Sequence, residues 1–144
     1  MRWLLIASAL CAAGLLAGPA SAAQPPDPCV LITNVDASTA LGSMPAQAKS
    51  KLVAGARTCT YTVKKKVMTV ATTKVASKAA FDKSAKATKG GAFPVMGVSF
   101  DAWTAGGTKL LVWQNGTAIT MTFTGFEPFV SVQQALAKTA VGRL

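Results

Sequence analysis

The chain reads as an α+β domain: an antiparallel sheet of about five strands with helices packed on one face, in the order α-β-β-α-β-β-β-α. Two observations lead there. Apolar residues recur at helical spacing in three segments and at a spacing of two in the stretches between them. Glycine pairs and an Asn-Gly step separate the period-two runs by connections far too short for parallel crossovers.

The elements follow in order. Residues 24 to 28, Gln-Pro-Pro-Asp-Pro, neither continue a helix nor pair centrally in a sheet and read as an extended linker. Thr33-Asn34-Val35-Asp36 resembles a capping box with Asp in place of Glu; Ala37, Ala40 and Leu41 follow before Gly42 stops a short first helix. Residues 43 to 56, interrupted by Pro45 and Gly55, read as a loop. From Thr58 the period becomes two, with Cys59, Tyr61 and Val63 alternating with threonines. A reversal through Lys64 to Val67 opposes Val63 to Met68 and Tyr61 to Val70, so that these residues and Cys59 share the core face. Ser77 caps a second helix to about Ala87, with Ala80, Phe81, Ser84 and Ala85 inward and Gly90-Gly91 ending it. Val98, Phe100 and Ala102 alternate with Ser99, Asp101 and Trp103 in a third strand, and Gly106-Gly107 turns it into the next.

Asn115-Gly116 is the clearest local signal, because a two-residue type I′ turn needs both central residues at positive φ. It opposes Gln114 to Thr117, Val112 to Ile119 and Leu110 to Met121, sending Leu111, Trp113, Ala118 and Thr120 to the other face. Glu127-Pro128 opens a C-terminal helix with Val132, Ala135, Leu136, Thr139 and Ala140 inward.

The N-terminal residues have the form of an export signal. Arg2 gives a positive start, Trp3 to Ala17 an apolar run, and Ala20-Ser21-Ala22 a small-x-small site with cleavage between Ala22 and Ala23. The run is about 15 residues, short of the roughly 20 that span a bilayer. A lipoprotein signal needs a small residue before the acylated cysteine, and Leu10 precedes Cys11. The organisation is therefore a cleavable signal peptide (1–22), a Pro-rich linker (23–28) and one domain (29–144), periplasmic or secreted, with no transmembrane segment in the mature form. Cleavage removes Cys11 and leaves Cys29 and Cys59 as an even pair, which in an oxidising compartment reads as a disulfide, the alternative being two buried free thiols.

Fifteen basic against five acidic side chains give a net charge of +10, or +9 once Arg2 is removed. The expected partners are anionic: an envelope component or an acidic protein rather than nucleic acid, met by a monomer, with a solubilising lysine surface as the bland alternative.

Pro28-Cys29-Val30-Leu31-Ile32-Thr33, then Ala40-Leu41-Gly42, Cys59-Thr60-Tyr61 and Pro94-Val95-Met96-Gly97-Val98, with a late strand pair ending in a helix, resemble a bacterial family of uncharacterised secreted proteins and lipoproteins with a Pro-Cys-x-Leu-Leu-Thr opening. The resemblance spans residues 28 to 140 and implies export, paired cysteines and an α+β fold, but no chemistry. This chain has Val98-Ser99 where the family commonly has Gly-Asp.

There is no histidine, the commonest general base and metal ligand. The five carboxylates fall in a linker, a cap, a helix surface, a strand and a helix start, and nothing in their spacing makes a metal loop or joins Asp101 to Glu127 as an acid–base pair. Cys29 and Cys59 lie too far apart for a Cys-x-x-Cys dithiol. Asn115-Gly116-Thr117 matches a glycosylation acceptor, although the turn already explains Asn-Gly. No catalytic residue, cofactor site or metal site is assigned. The candidate binding face is Trp103, Trp113 and Leu111 beside a field of threonines, unless the glycine-rich loop at 88–97 folds over the tryptophans. The expected function is a noncatalytic binding or envelope-associated module. The alternatives are a small hydrolase-like enzyme whose site forms only in three dimensions and a secreted inhibitor or effector.

Overall fold

Turn chemistry divides the chain into two meanders that meet in one sheet. The computed structural model describes residues 23–88 and 91–144; the expected signal peptide and its Ala22 lie outside the described residues. The elements are α1 (Pro28–Leu31), α2 (Asn34–Leu41), β1 (Ser50–Val53), β2 (Ala56–Val63), β3 (Lys66–Lys74), α3 (Lys78–Lys86), β4 (Phe93–Pro94), β5 (Asp101–Ala105), β6 (Lys109–Gln114), β7 (Thr117–Thr124) and α4 (Val130–Val141). All seven strands form one antiparallel sheet in the order β1-β2-β3-β7-β6-β5-β4.

The expected five-stranded sheet with helices on one face is thus corrected to seven strands with four helices. The additions are the two edge strands and the one-turn α1. β1 lies in the stretch expected to be a loop. Ala54 and Gly55 both take positive φ (48° and 80°) and close a tight hairpin that pairs Val53 with Ala56. Gly55 therefore marks a turn between strands rather than an open connection. β1 carries no alternation because three of its four residues are exposed at the sheet margin. At the opposite edge β4 accommodates Pro94 because it pairs on one side only, with β5.

Two registers are informative. The Asn115-Gly116 turn (φ 49° and 74°) pairs Gln114 with Thr117, Val112 with Ile119 and Leu110 with Met121, as its chemistry requires. In the β2–β3 hairpin the turn is Lys64-Lys65, with Lys64 at φ 54°, so Val63 pairs with Lys66 and Tyr61 with Met68. This register is displaced by two residues from the expected one, and a shift of two leaves every side chain on its own face.

The helical face carries the core. Tyr61, Met68, Val70, Leu110, Val112, Ile119, Met121 and Phe123 are buried with Leu31, Ile32, Ala37 and Leu41 of the N-terminal corner and Leu136, Ala137 and Ala140 of α4. α4 begins two residues later than Pro128 suggests, capped at Phe129. Gln133 and Ala137 are therefore buried, whereas Ala135 is exposed. Buried Gln133 accepts from Thr104 Oγ1 (3.0 Å) and donates to the Pro128 carbonyl (3.1 Å) and the Gly107 carbonyl (3.3 Å), so its amide is satisfied where the β5–β6 turn meets the helix.

The Pro-rich segment is docked rather than free. Pro25 is buried, the Pro26 carbonyl accepts from Thr72 Oγ1 (2.6 Å), and Asp27 caps α1 through the Cys29 amide (2.9 Å) while pairing with Arg57 (3.6 Å). α1 then bonds to the sheet through a disulfide between Cys29 and Cys59, with the Cα atoms 5.4 Å apart.

α2 opens with the capping box: Thr33 N donates to Asp36 Oδ2 (2.8 Å), and Asp36 N donates to Thr33 Oγ1 (3.4 Å). Arg143, just past α4, donates to the Leu31 carbonyl (2.9 Å) and pairs with Asp36. The buried Tyr61 hydroxyl donates to the Ile32 carbonyl, and burial raises its pKa. The C-terminal end, both N-terminal helices and the middle of β2 are thereby fastened at one corner.

Two expected outcomes test this corner. Closing a loop of about 30 residues contributes roughly 3–4 kcal/mol. Cys59→Ala should therefore lower the midpoint of thermal unfolding by on the order of 10 °C and leave one alkylatable thiol; an unchanged midpoint contradicts the assignment. Burial opposes ionisation of Asp36, but hydrogen bonds from Arg143 and Thr33 outweigh it and hold the carboxyl below its ordinary range. A depressed carboxylate pKa adds stability that is present above the unfolded-chain value of about 3.9 and is lost as pH falls through the folded value. Asp36→Asn should cost about 1 kcal/mol at pH 7. Urea melts should show the variant losing less stability than the wild type below about pH 4; parallel curves contradict the role given to Asp36.

Candidate binding face

Strand pairing puts one set of side chains opposite the helical core face. Lys51, Thr58, Ala71, Thr120, Leu111 and Trp103 lie on one continuous cross-strand row of this second face. The neighbouring rows carry Thr60, Thr69, Thr122 and Lys109 on one side, and Thr73, Ala118, Trp113 and Asp101 on the other. The expected trio of Trp103, Trp113 and Leu111 thus does share a face, each residue half-buried.

The element packed over this face is α3. Ser77 caps α3 through the Ala80 amide (3.2 Å), and Phe81 and Ala85 are buried apart from the core cluster of the helical face. α3 packs on β6, whose other side is already filled by Leu110 and Val112 of that cluster. Helices therefore lie on both faces of the sheet. An amphipathic stripe specifies that a helix packs, not on which side. Ala80 and Ser84, expected inward, are exposed.

Lys78 fastens the start of α3, pairing with Asp82 at 2.6 Å and with Asp101 of β5 at 3.3 Å. Its hydrogen bonds to the two carboxylates, that to Asp82 first, raise the Lys78 pKa. Asp101 stands directly across from Trp113. The Trp113 Nε1 and Asp82 Oδ1 atoms are both buried without a hydrogen-bond partner among the described residues, one a donor and the other an acceptor.

Residues 95 and 96 of the loop at 88–97 meet the helical side instead. Val95 is buried in the main core, its amide donates to the Ala102 carbonyl (2.8 Å), and Gln134 Nε2 of α4 holds the Met96 carbonyl (2.6 Å).

The remaining expected chemistry falls as follows. Asp101 opens β5, whereas Glu127 lies beside Gly107, beyond its far end. The two carboxylates are not brought together. Among the described residues no group of three His, Cys, Asp or Glu side chains could hold a metal ion, and no helix is long and apolar enough to cross a membrane.

The open part of the second face spans β1, β2, β3 and β7, where threonines stand half-exposed or exposed. Exposed Lys51 lies among them on β1, half-buried Lys109 borders them on β6 opposite Thr122, and exposed Lys83 and Lys86 lie on α3 at the margin. Among the described residues Asp101 is the carboxylate on this face of the strands, and it is already paired with Lys78. All four aspartates are held in ion pairs, by Arg57, Lys78 and Arg143. The other lysines among the described residues form no ion pair with a carboxylate.

Comparison with protein-family models, curated proteins and solved structures finds no match to this chain.

The covering role of α3 has a direct readout. In a Trp103→Phe background, Phe81→Ala should detach α3 and make Trp113 several-fold more accessible to acrylamide quenching. Disulfide-dependent stability of the helical face should persist. Unchanged quenching means that α3 does not shield the tryptophan.

Proposed function

We propose that this chain is a noncatalytic, extracytoplasmic binding module that docks on anionic, phosphate-bearing envelope surfaces through its threonine–lysine sheet face. The observation that carries the reading is the separation of charge: every aspartate is consumed in an internal ion pair, while Lys51 on the open strand face and Lys109 at its β6 border form no ion pair with a carboxylate among the described residues. Threonine hydroxyls donate and accept hydrogen bonds, so such a face meets phosphate and sugar oxygens without demanding one fixed geometry. Its lysines supply long-range attraction that ions screen. Trp103 adds an aromatic surface at the margin.

The extracytoplasmic setting is supported by the disulfide and by the form of residues 1–22. The noncatalytic reading is supported by a sequence without histidine and by aspartates engaged at structural junctions.

Vesicle co-sedimentation tests the proposal. The protein should bind anionic phospholipid vesicles, release steeply between low and high salt, and bind neutral vesicles weakly. A lysine near an anionic membrane contributes about 1 kcal/mol. Lys51→Gln/Lys109→Gln should therefore weaken binding roughly tenfold or more, whereas Lys138→Gln on the opposite side of the sheet should not. Equal binding to neutral vesicles, or no effect of the double substitution, overturns the assignment.

A further inference from the structure

A cleft of about 540 Å³ opens at the end of the molecule where α2 stops and the β2–β3 hairpin turns. Three separate segments line it: Leu41 to Ser43, Val63 to Lys66, and Gly125. Leu41 is buried and Val63 half-buried, so they provide an apolar floor and wall. The two glycines keep the lining low. Gly42 ends α2 at φ +81°. Gly125 sits at φ +80° so close to the hairpin that a Cβ there would lie 2.4 Å from the Lys65 carbonyl oxygen, so no side chain fits at that point.

The three lysines of the turn play different parts. Lys66 is committed: its Nζ donates to the Leu41 carbonyl (3.3 Å), the end of α2, and lies 5.6 Å from the centre of the Phe126 ring. Lys64 and Lys65 are exposed and have no ion pair or side-chain hydrogen bond among the described residues. Among the described residues no carboxylate lines the cleft. The lining therefore combines an apolar interior with two uncommitted ammonium groups.

From this we infer that the cleft is a binding site for a small anionic amphiphile, a molecule with a short alkyl or aryl body and a phosphate or similarly charged head. The volume lies within the roughly 300–1,000 Å³ usual for small-molecule sites. The body packs on Val63 above the closed floor made by buried Leu41, and the head meets Lys64 and Lys65. An inorganic anion would leave the apolar floor wet, and a neutral amphiphile would leave both ammonium groups unused. The site is separate from the sheet face, and its lysines are not those assigned to the envelope surface.

The test is a titration of the full mature chain with alkyl phosphates below their micelle-forming concentrations, followed by two-dimensional amide NMR. Hexyl to decyl phosphate should shift the amides of Leu41, Gly42, Val63 to Lys66 and Gly125. Affinity should rise by up to roughly three- to fourfold per added methylene until the cleft is filled. Inorganic phosphate and a neutral alkyl glucoside of equal chain length should each bind at least tenfold more weakly. Lys64→Asn, which suits the positive φ of that position, combined with Lys65→Gln should weaken alkyl phosphate roughly tenfold or more, while Lys51→Gln/Lys109→Gln should leave it unchanged. Shifts scattered over the surface, equal affinity for inorganic phosphate, equal affinity for the glucoside, or indifference to the Lys64/Lys65 substitutions would each overturn the inference. Because the vesicle experiment depends on Lys51 and Lys109, failure of one site is distinguishable from failure of the other.

Discussion

The pairing of β3 with β7 is the seam on which the rest of the structure depends. Every other strand pair joins neighbours in sequence, whereas Val67 to Lys74 and Thr117 to Thr124 meet across more than forty intervening residues. Until that seam forms, the last strand of each meander, β3 in one and β7 in the other, is paired on one side only, and the core face of Met68, Val70, Met121 and Phe123 is split in two. Closing so long a loop is favourable only because it buries apolar surface from both halves together. The seam also fixes the path of α3: to reach the far edge at β4 the chain must leave β3 and cross the sheet. It does so over the face opposite the core, shielding Trp113 and leaving the threonines of β2, β3 and β7 open.

Charge is arranged with the same economy. Aspartates sit where segments must be joined: Asp27 at the entry to α1, Asp36 between α2 and the C-terminal end, and Asp82 with Asp101 where α3 meets the sheet. Few anions are needed to hold the fold, so the excess of lysine is available to the surroundings. A chain with a net charge of +10 carries a self-repulsion that the disulfide and the well-packed helical face offset.

What was legible in the sequence follows from how local each determinant is. The capping box of Thr33 and Asp36, the Ser77 cap and the Asn115-Gly116 turn each depend on groups within four residues, and their hydrogen bonds and φ requirements are visible in the residues themselves. β1 and β4 were not legible, because an edge strand with little buried on either side has no alternation to read. α1 is a single turn created by the Asp27 cap inside a segment that composition marks as extended. The faces of Trp103, Leu111 and Trp113 came from alternation alone, but their cover did not. A helical stripe is equally compatible with either side of a sheet, and Val95 is drawn to the opposite core by a hydrogen bond to Ala102. The cleft at Leu41 and Val63 was out of reach altogether, since its walls come from three segments joined only by tertiary structure.

The disulfide has a mechanical meaning as well as a thermodynamic one. It spans a sequence separation of 30 and joins the first helical turn to the second strand of the sheet. If the chain were pulled from its two ends, residues 30 to 58 would be bypassed, shortening the fully extended length by on the order of 100 Å. Tension entering from the N-terminal side would pass through Cys29 straight into β2, loading the hydrogen-bonded ladder with β3 rather than peeling away α1, α2 and β1. The corner where the N-terminal helices meet β2 is thus the place where tension from the N-terminal side enters the sheet.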